Sequence, residues 1–113
     1  MTETSQNFAM YEGTSLTLRF TVTQNDEAVD LEGSTITWVA VRRSDLGAFL
    51  QKEAVIDDDP GTGVFTVELE PEDTEDLAGR YLNEAKMVDA AGEVFTVTTG
   101  LMSVWRSLLS VAA

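Results

Sequence analysis

A strict alternation of apolar and polar side chains between residues 16 and 22 is the feature that most constrains the fold of this chain. The apolar side chains that share one face of this stretch are Leu16, Leu18, Phe20 and Val22. A period of two residues is typical of a strand with one buried face and one solvated face. The stretch is therefore predicted to be a half-buried β-strand.

Similar patterns follow along the chain, and turn signals separate them roughly every ten residues. Strands are predicted at residues 34–43, 49–56, 64–69, 81–88 and 94–99, and a short apolar segment lies at 28–31. Polar turns are predicted at residues 24–27, 57–63 and 89–92, and Pro71 suits the first position of a single helical turn. This rhythm predicts an all-β protein of about seven antiparallel strands, either a β-sandwich or a barrel.

The side chains that carry the alternation are expected to form the interior of the sandwich. They are Leu18, Phe20, Ile36, Trp38, Phe65, Val67, Tyr81 and Phe95. In the strand at 34–43 both faces are fairly apolar, because Val39 and Val41 lie on the face opposite Trp38. This strand is therefore expected in the centre of a sheet.

The composition lacks the side chains on which most enzymes rely. The 113 residues include no histidine and no cysteine, so the usual general base, the thiolate nucleophile and the commonest transition-metal ligand are missing. Acids outnumber bases 20 to 7, and the resulting net charge of -13 disfavours nucleic-acid binding. No apolar run is long enough to cross a bilayer, and residues 1–7 do not resemble a signal peptide. We expect no catalytic residue and no cofactor.

An acidic turn is the strongest candidate for a metal site. Asp57, Asp59 and Glu68 occupy positions 1, 3 and 12 of an EF-hand count. Gly61 and Thr62, however, stand where a ligand and the required glycine belong. We therefore expect a solvated hairpin turn with no metal ligand.

Four segments resemble one family of phage proteins. They are Glu12–Phe20, Ala28–Thr37, Gly63–Val67 and Leu77–Tyr81. Together they are similar to the N-terminal immunoglobulin-like β-sandwich domain of phage baseplate upper proteins, and the last segment also resembles the tyrosine corner of immunoglobulin domains. The resemblance implies an immunoglobulin-like sandwich that docks onto tail, baseplate or head proteins of a virion, and it supplies no catalytic residue.

The C-terminal tail has a different pattern from the rest of the chain. Its apolar residues recur at helical spacing, at Leu101, Val104, Trp105, Leu108, Leu109 and Ala112. This spacing indicates a short amphipathic helix, and the alternative is that residues 101–105 extend the last strand. We accordingly divide the chain into an N-terminal arm at 1–11, a sandwich domain at 12–100 and an apolar tail at 101–113.

Charge is distributed unevenly, which suggests where the chain meets a partner. Nine acids and no base lie between Asp57 and Asp76, whereas Glu93 and Arg106 are the only charged residues from position 93 onward. An apolar, nearly uncharged segment beside an acidic body is typical of a buried interface. The expected interface residues are Leu101, Val104, Trp105, Leu108 and Leu109, and the expected partner is another virion protein or a second copy of the chain.

The expected function is that of a phage virion structural protein, either a tail or baseplate adaptor or a head decoration module, made in the host cytoplasm. The alternative is a carbohydrate- or ligand-binding sandwich module. That alternative requires aromatic side chains exposed on one sheet face, and Tyr11, Phe49, Trp38 and Tyr81 are the candidates for that role.

Overall fold

The structure, a computed structural model, describes residues 4–5, 7–46, 48–75 and 77–107. The described part of the chain is built almost entirely of strands, as predicted. The strands are β1 (Thr4–Ser5), β2 (Phe8–Tyr11), β3 (Leu16–Thr21), β4 (Thr23–Gln24), β5 (Glu27–Ala28), β6 (Thr35–Arg42), β7 (Ala48–Glu53), β8 (Val55–Ile56), β9 (Val64–Leu69), β10 (Gly79–Val88) and β11 (Val94–Trp105). A 3₁₀ turn, Pro60–Thr62, and one short helix, α1 (Pro71–Thr74), complete the described elements.

Two sheets form the layers of the sandwich. The larger sheet has the order β1–β11–β10–β6–β7, and β2 also pairs with β11. The smaller sheet has the order β3–β9–β8, and β4 and β5 form a separate hairpin. Strand β6 lies between β10 and β7, which confirms the central position predicted for it.

The inner faces of both sheets bury the predicted core. Seven of the predicted interior side chains are buried, and they are Leu18, Phe20, Ile36, Trp38, Phe65, Val67 and Tyr81. Phe95, the eighth, is partly buried and packs against them. The core also contains Leu31 and Met102, which are 0% exposed and which the alternation did not single out.

A tyrosine corner joins the helix α1 region to the start of β10. The Tyr81 hydroxyl donates a hydrogen bond to the Leu77 carbonyl oxygen at 2.6 Å, which fixes the chain as it enters the strand. Two residues further on, the buried Asn83 Oδ1 accepts a hydrogen bond from Trp38 Nε1 at 3.4 Å. The immunoglobulin-like feature that the resemblance implied at Tyr81 is therefore present.

The segment predicted as a single strand at 49–56 belongs to both layers. Its first part, β7, pairs with β6 of the larger sheet, and its second part, β8, pairs with β9 of the smaller sheet. Between them, Ala54 N donates to the Ile36 carbonyl oxygen at 2.9 Å. The chain changes sheets over one residue, and neither glycine nor proline marks the point.

The predicted turns are present at their expected positions. Asn25 and Asp26 have φ angles of 52° and 63°, as the two central residues of a type I′ hairpin turn require. The turn after β10 is closed by hydrogen bonds from Asp89 N to Glu93 O and from Gly92 N to Asp89 O. Pro71 opens α1 at its first turn, which confirms the single helical turn predicted there.

The helical alternative for the start of the tail is wrong, because residues 101–105 continue β11. Strand β11 pairs with β10 on one side and, in parallel, with β2 on the other, so both edges of this segment are held in the sheet. Residues 108–113 of the predicted tail lie outside the described part of the chain. The sheet thus crosses the boundaries drawn at residues 12 and 100, since Phe8–Tyr11 and Leu101–Trp105 are neighbouring strand segments.

A β-bulge interrupts β11 before the segment that was predicted as the tail. Ala85 pairs with Thr98 and Lys86 pairs with Thr96, so Val97 is an extra residue in β11. Such an insertion shifts the alternation by one position. After the bulge the alternation is regular again, with Met102 and Val104 buried and Leu101 and Trp105 exposed. Both faces carry apolar residues here, and the spacing of 101, 104 and 105 therefore resembles that of a helix.

Candidate functional site

The acidic turn uses its carboxylates to hold its own backbone. Asp57 Oδ2 accepts hydrogen bonds from Asp59 N at 3.3 Å and from the Thr62 hydroxyl at 3.4 Å. Asp59 Oδ1 accepts from Gly61 N at 3.1 Å. Across the described ranges, no three acidic side chains converge in a way that could hold a metal ion. The absence of metal binding at this turn stays a prediction.

A row of apolar side chains crosses the outer face of the larger sheet, the face turned away from the smaller sheet. Leu82 on β10 lies in register with Val41 on β6 and with Leu101 on β11. Leu82 and Leu101 are 36% and 43% exposed, whereas their neighbours Tyr81 and Met102 point inward and are buried. We call Val41, Leu82 and Leu101 the apolar row.

A groove of about 630 Å³ follows the apolar row across the strands. Its second wall is the next row of outward side chains, Val39, Glu84 and Thr99, which are also in register with one another. Asn83 and Gly100, a register pair between the two rows, also line the groove. The groove is open, and it offers aliphatic surface with a single carboxylate on one wall.

Asn7 closes the groove at the edge of the sheet, where the N-terminal strand is interrupted between β1 and β2. Its Oδ1 atom accepts a hydrogen bond from Leu101 N at 2.9 Å. The Leu101 N–H group of β11 is therefore satisfied by a side-chain amide, because it lies between the segments that pair with the backbone of β1 and β2. This bond holds the Leu101 end of the apolar row in place.

Two exposed aromatic residues lie on the same outer face, beyond the apolar row. Trp105 and Tyr11 are register partners on β11 and β2, and they are 51% and 52% exposed. Their ring centroids are 5.2 Å apart at an interplanar angle of 77°, an edge-to-face contact. The pair therefore presents a fixed aromatic surface to solvent.

Two arginines lie between the aromatic pair and the apolar row. Arg80 is in register with Ser103 on β11, and Arg43 N donates to the Arg80 carbonyl oxygen at 3.0 Å across the neighbouring strand. Both side chains are exposed. Among the described residues, the ion pairs are Arg42–Asp45, Lys52–Asp73 and Lys86–Glu84, so neither Arg43 nor Arg80 takes part in one. Like charges on neighbouring strands are unfavourable unless something else offsets them.

The structure separates the predicted interface residues into three groups. Leu101 and Trp105 are exposed on the outer face, in agreement with a contact role. Val104 is 3% exposed and belongs to the core of the sandwich, so it is not available on the surface of this chain. Leu108 and Leu109 lie outside the described residues.

Sequence reasoning did not assign Leu82, Val41 or Arg80 to this surface, and it named Tyr11 only for the carbohydrate-binding alternative. They come from three different strands, β10, β6 and β2, and only the register of the sheet brings them together. The apolar character of both faces of the strand at 34–43 was the one available signal, because Val41 occupies its outer face.

No described helix of the chain is of a length and apolar character that would let it span a membrane.

Comparisons with known proteins agree with the fold. A family model described as the BppU N-terminal domain matches residues 1–110. No curated protein matches the sequence. Among solved structures, a proposed glycoside hydrolase from Bacteroides vulgatus is similar with a TM-score of 0.51 and 12% identity, over 88% of this chain and 16% of that chain. The NK cell receptor NKp44 is similar with a TM-score of 0.46 and 18% identity, over 90% of this chain and 99% of that chain.

The match to the hydrolase shows the fold alone, because its sequence identity is 12%. The chain corresponds to 16% of the length of that protein, so the activity named for the hydrolase is not carried over to this chain.

Proposed function

Because the chain belongs to the BppU N-terminal domain family of phage baseplate structural domains, we propose that it is a non-catalytic docking module of a phage or prophage virion. In this proposal the chain is a tail or baseplate adaptor, made in the host cytoplasm and incorporated into the particle by protein–protein contact. Its partners are other virion proteins, itself, or both, and it binds neither nucleic acid nor membrane. A head decoration protein is the alternative role within the same class of virion structural proteins.

One observation carries the proposal, namely the apolar and aromatic surface on the outer face of the larger sheet. Leu82, Leu101, Trp105 and Tyr11 are each at least one-third exposed on this face. Tryptophan, tyrosine and arginine are the residues most enriched in the parts of interfaces that contribute most to affinity. Arg43 and Arg80 lie between the aromatic pair and the apolar row, so this face has the composition of a docking surface.

The chain's net charge of -13 supports the same conclusion. An acidic surface keeps a free subunit soluble before assembly, and it also opposes association with the phosphate backbone. The outer face is less acidic than the chain as a whole, since Arg80, Arg43 and Lys86 accompany Glu84 and Glu53 there. Docking through this face therefore avoids burying the acidic turns.

A carbohydrate-binding module is the second candidate, and the exposed pair of Trp105 and Tyr11 favours it. Sugar binding, however, commonly uses a flat aromatic face, and the edge-to-face contact at 77° turns one ring toward the other. The row of aliphatic side chains beside the pair also suits a protein surface better than a hydroxylated ring. Binding of the isolated chain to a glycan array would favour this second candidate.

The test uses particles of the phage or prophage that encodes the chain, with the gene removed and tagged versions supplied in trans. We expect the wild-type chain in purified particles and expect Leu82→Asp to be absent from them. Thr17→Asp, on the exposed face of β3 in the smaller sheet, is the matched control and should be incorporated normally. Absence of the wild-type chain from purified particles would contradict the proposal, as would normal incorporation of Leu82→Asp.

A further inference from the structure

On β10, opposite charges lie on the two sides of the apolar row. Along β10 the outward residues are Arg80, Leu82, Glu84 and Lys86, while Tyr81, Asn83 and Ala85 between them are buried. Arg80 and Glu84 thus stand two residues to either side of Leu82. With a rise of about 3.3 Å per residue, each charge lies roughly 7 Å along the strand from the apolar row.

A pattern of this kind is complementary to itself after a two-fold rotation. Rotation about an axis that lies along the apolar row, just above the sheet, exchanges the arginine side of the row with the glutamate side. It leaves the apolar row facing an identical apolar row. An interface formed in this way is isologous, so each favourable contact occurs twice.

We propose that this face binds a second copy of the chain, with the two-fold axis along the apolar row. Leu82, Leu101 and Val41 of one copy pack against the same residues of the other. Arg80 of each copy faces Glu84 of the other, which gives each arginine an opposite charge. The inference rests on the proposed docking function and names the first partner of this surface.

The distribution of the remaining acids favours this arrangement over a parallel one. The loops at one end of the sandwich contact each other, since Leu31 N donates to the Pro60 carbonyl oxygen and a Cβ added at Gly33 would lie 3.0 Å from Ala90 Cβ. These loops contain nine acids and no base, namely Asp26, Glu27, Asp30, Glu32, Asp57, Asp58, Asp59, Asp89 and Glu93. The rotation reverses the strand direction of the second copy, so this acidic end lies toward the end that carries Arg43 and Arg80.

The aromatic pair has a counterpart in the same arrangement. Trp105 lies on the arginine side of the apolar row, and Lys86 lies at a similar distance on the glutamate side. The rotation brings the Lys86 side chain of one copy to the region of Trp105 of the other, where an ammonium group and an indole ring attract each other. The Lys86 side chain is 57% exposed, so it can reach this region although it also lies 3.7 Å from Glu84 in its own chain.

The test is sedimentation velocity of the full chain over a concentration series, with thermal unfolding to show that each variant is folded. The wild-type chain is expected to dimerise. Arg80→Glu alone and Glu84→Arg alone are each expected to weaken dimerisation at least tenfold, because each places like charges opposite one another twice. Arg19→Glu and Glu68→Arg, on the outer face of the smaller sheet, are the matched controls for the change in net charge and should dimerise as the wild type does.

An equimolar mixture of the Arg80→Glu and Glu84→Arg chains gives the decisive result. In a mixed dimer, the glutamate introduced at position 80 faces the arginine introduced at position 84, and the native Glu84 faces the native Arg80. The mixture should therefore recover dimers that neither variant forms alone.

Two outcomes would overturn the inference. One is a wild-type chain that stays monomeric at the highest concentration, and the other is dimerisation that the charge reversals do not weaken or that mixing does not recover. Neither outcome contradicts the docking function, since incorporation of the chain into particles is measured separately.

Discussion

The rings of Phe20 and Phe65 are stacked in the centre of the smaller sheet, with centroids 4.9 Å apart and an interplanar angle of 26°. The two residues are register partners on β3 and β9, and they are 3% and 0% exposed. Their rings lie on the inner face of a sheet that has three strands within the described part of the chain. The two rings therefore form the buried centre of the smaller layer.

Replacement of Phe20 by alanine should lower the free energy of unfolding by about 3–5 kcal/mol, because it removes a buried ring and leaves a cavity beside Phe65. Chemical denaturation monitored by circular dichroism measures this change. Thr21→Ala, at the exposed neighbouring position, is the control and should change the free energy of unfolding by about 0.5 kcal/mol or less. An unchanged unfolding midpoint for Phe20→Ala would refute the register of β3.

Gly63→Ala should destabilise the chain strongly. Gly63 has a φ of 71°, and a Cβ there would lie 2.6 Å from the Val22 carbonyl oxygen and 3.1 Å from the Val29 carbonyl oxygen. Both obstacles are backbone atoms, so the loops at this end of the sandwich would have to separate.

Gly92→Ala is the matched control for this prediction. Gly92 has a φ of 86° but meets nothing within 4 Å, so its substitution adds only the strain of the left-handed conformation, about 1 kcal/mol. Thermal unfolding of both variants separates steric overlap from backbone strain. Equal losses of stability in the two variants would contradict the close approach at Gly63.

The ion pair between Lys52 and Asp73 should contribute measurably to stability. Lys52 Nζ lies 2.8 Å from Asp73 Oδ2, and the two side chains are only 28% and 14% exposed. Asp73 also accepts a hydrogen bond from Glu70 N at 2.7 Å, so the pair connects the edge strand β7 to the start of α1. A double-mutant cycle with Lys52→Met and Asp73→Asn should give a coupling energy of about 1 kcal/mol.

The pair of Arg42 and Asp45 is the control for that cycle. Its side chains are 51% and 55% exposed at a distance of 3.1 Å, so solvent screens the attraction. The equivalent cycle on Arg42 and Asp45 should give a clearly smaller coupling energy. A coupling for Lys52 and Asp73 that does not exceed this control would show that partial burial does not strengthen the pair.

Val104 and Leu101 should respond differently to truncation to alanine, although both were predicted as interface residues. Val104 is 3% exposed, and Val104→Ala should lower the free energy of unfolding by about 2 kcal/mol. Leu101 is 43% exposed on the outer face, and Leu101→Ala should weaken association while leaving unfolding nearly unchanged. A large loss of stability for Leu101→Ala would show that it supports the sheet and does not serve as a contact.

Local patterns in the sequence were sufficient to predict most strands and the turns between them. The alternation at residues 16–22 and 64–69 predicted β3 and β9 with their buried faces, because the side-chain period of a strand is a property of the backbone itself. The turn at Asn25 and Asp26 was likewise predictable, since these residue types tolerate positive φ. The family resemblance then supplied the immunoglobulin-like arrangement and the tyrosine corner at Tyr81.

Features that depend on pairing between distant strands were not predictable in the same way. The change of sheet at Ala54 and the bulge at Val97 follow from which strands pair, and single-residue changes of this kind leave no signature in the local pattern. The continuation of β11 through Trp105 mattered most, because positions 101 and 104 lie on opposite faces of a strand, whereas the sequence spacing had grouped Leu101 and Val104 on one helical face.

The sequence by itself determined that this chain is an acidic β-sandwich without the side chains for histidine- or cysteine-based chemistry. Composition and side-chain period are local properties, so they are visible before any strand is paired. Only the tertiary structure decided where the exposed surface lies. Leu82, Leu101 and Val41 form one row, with Arg80 and Glu84 on opposite sides of it, because the register of three strands aligns residues that are up to 60 positions apart in the chain.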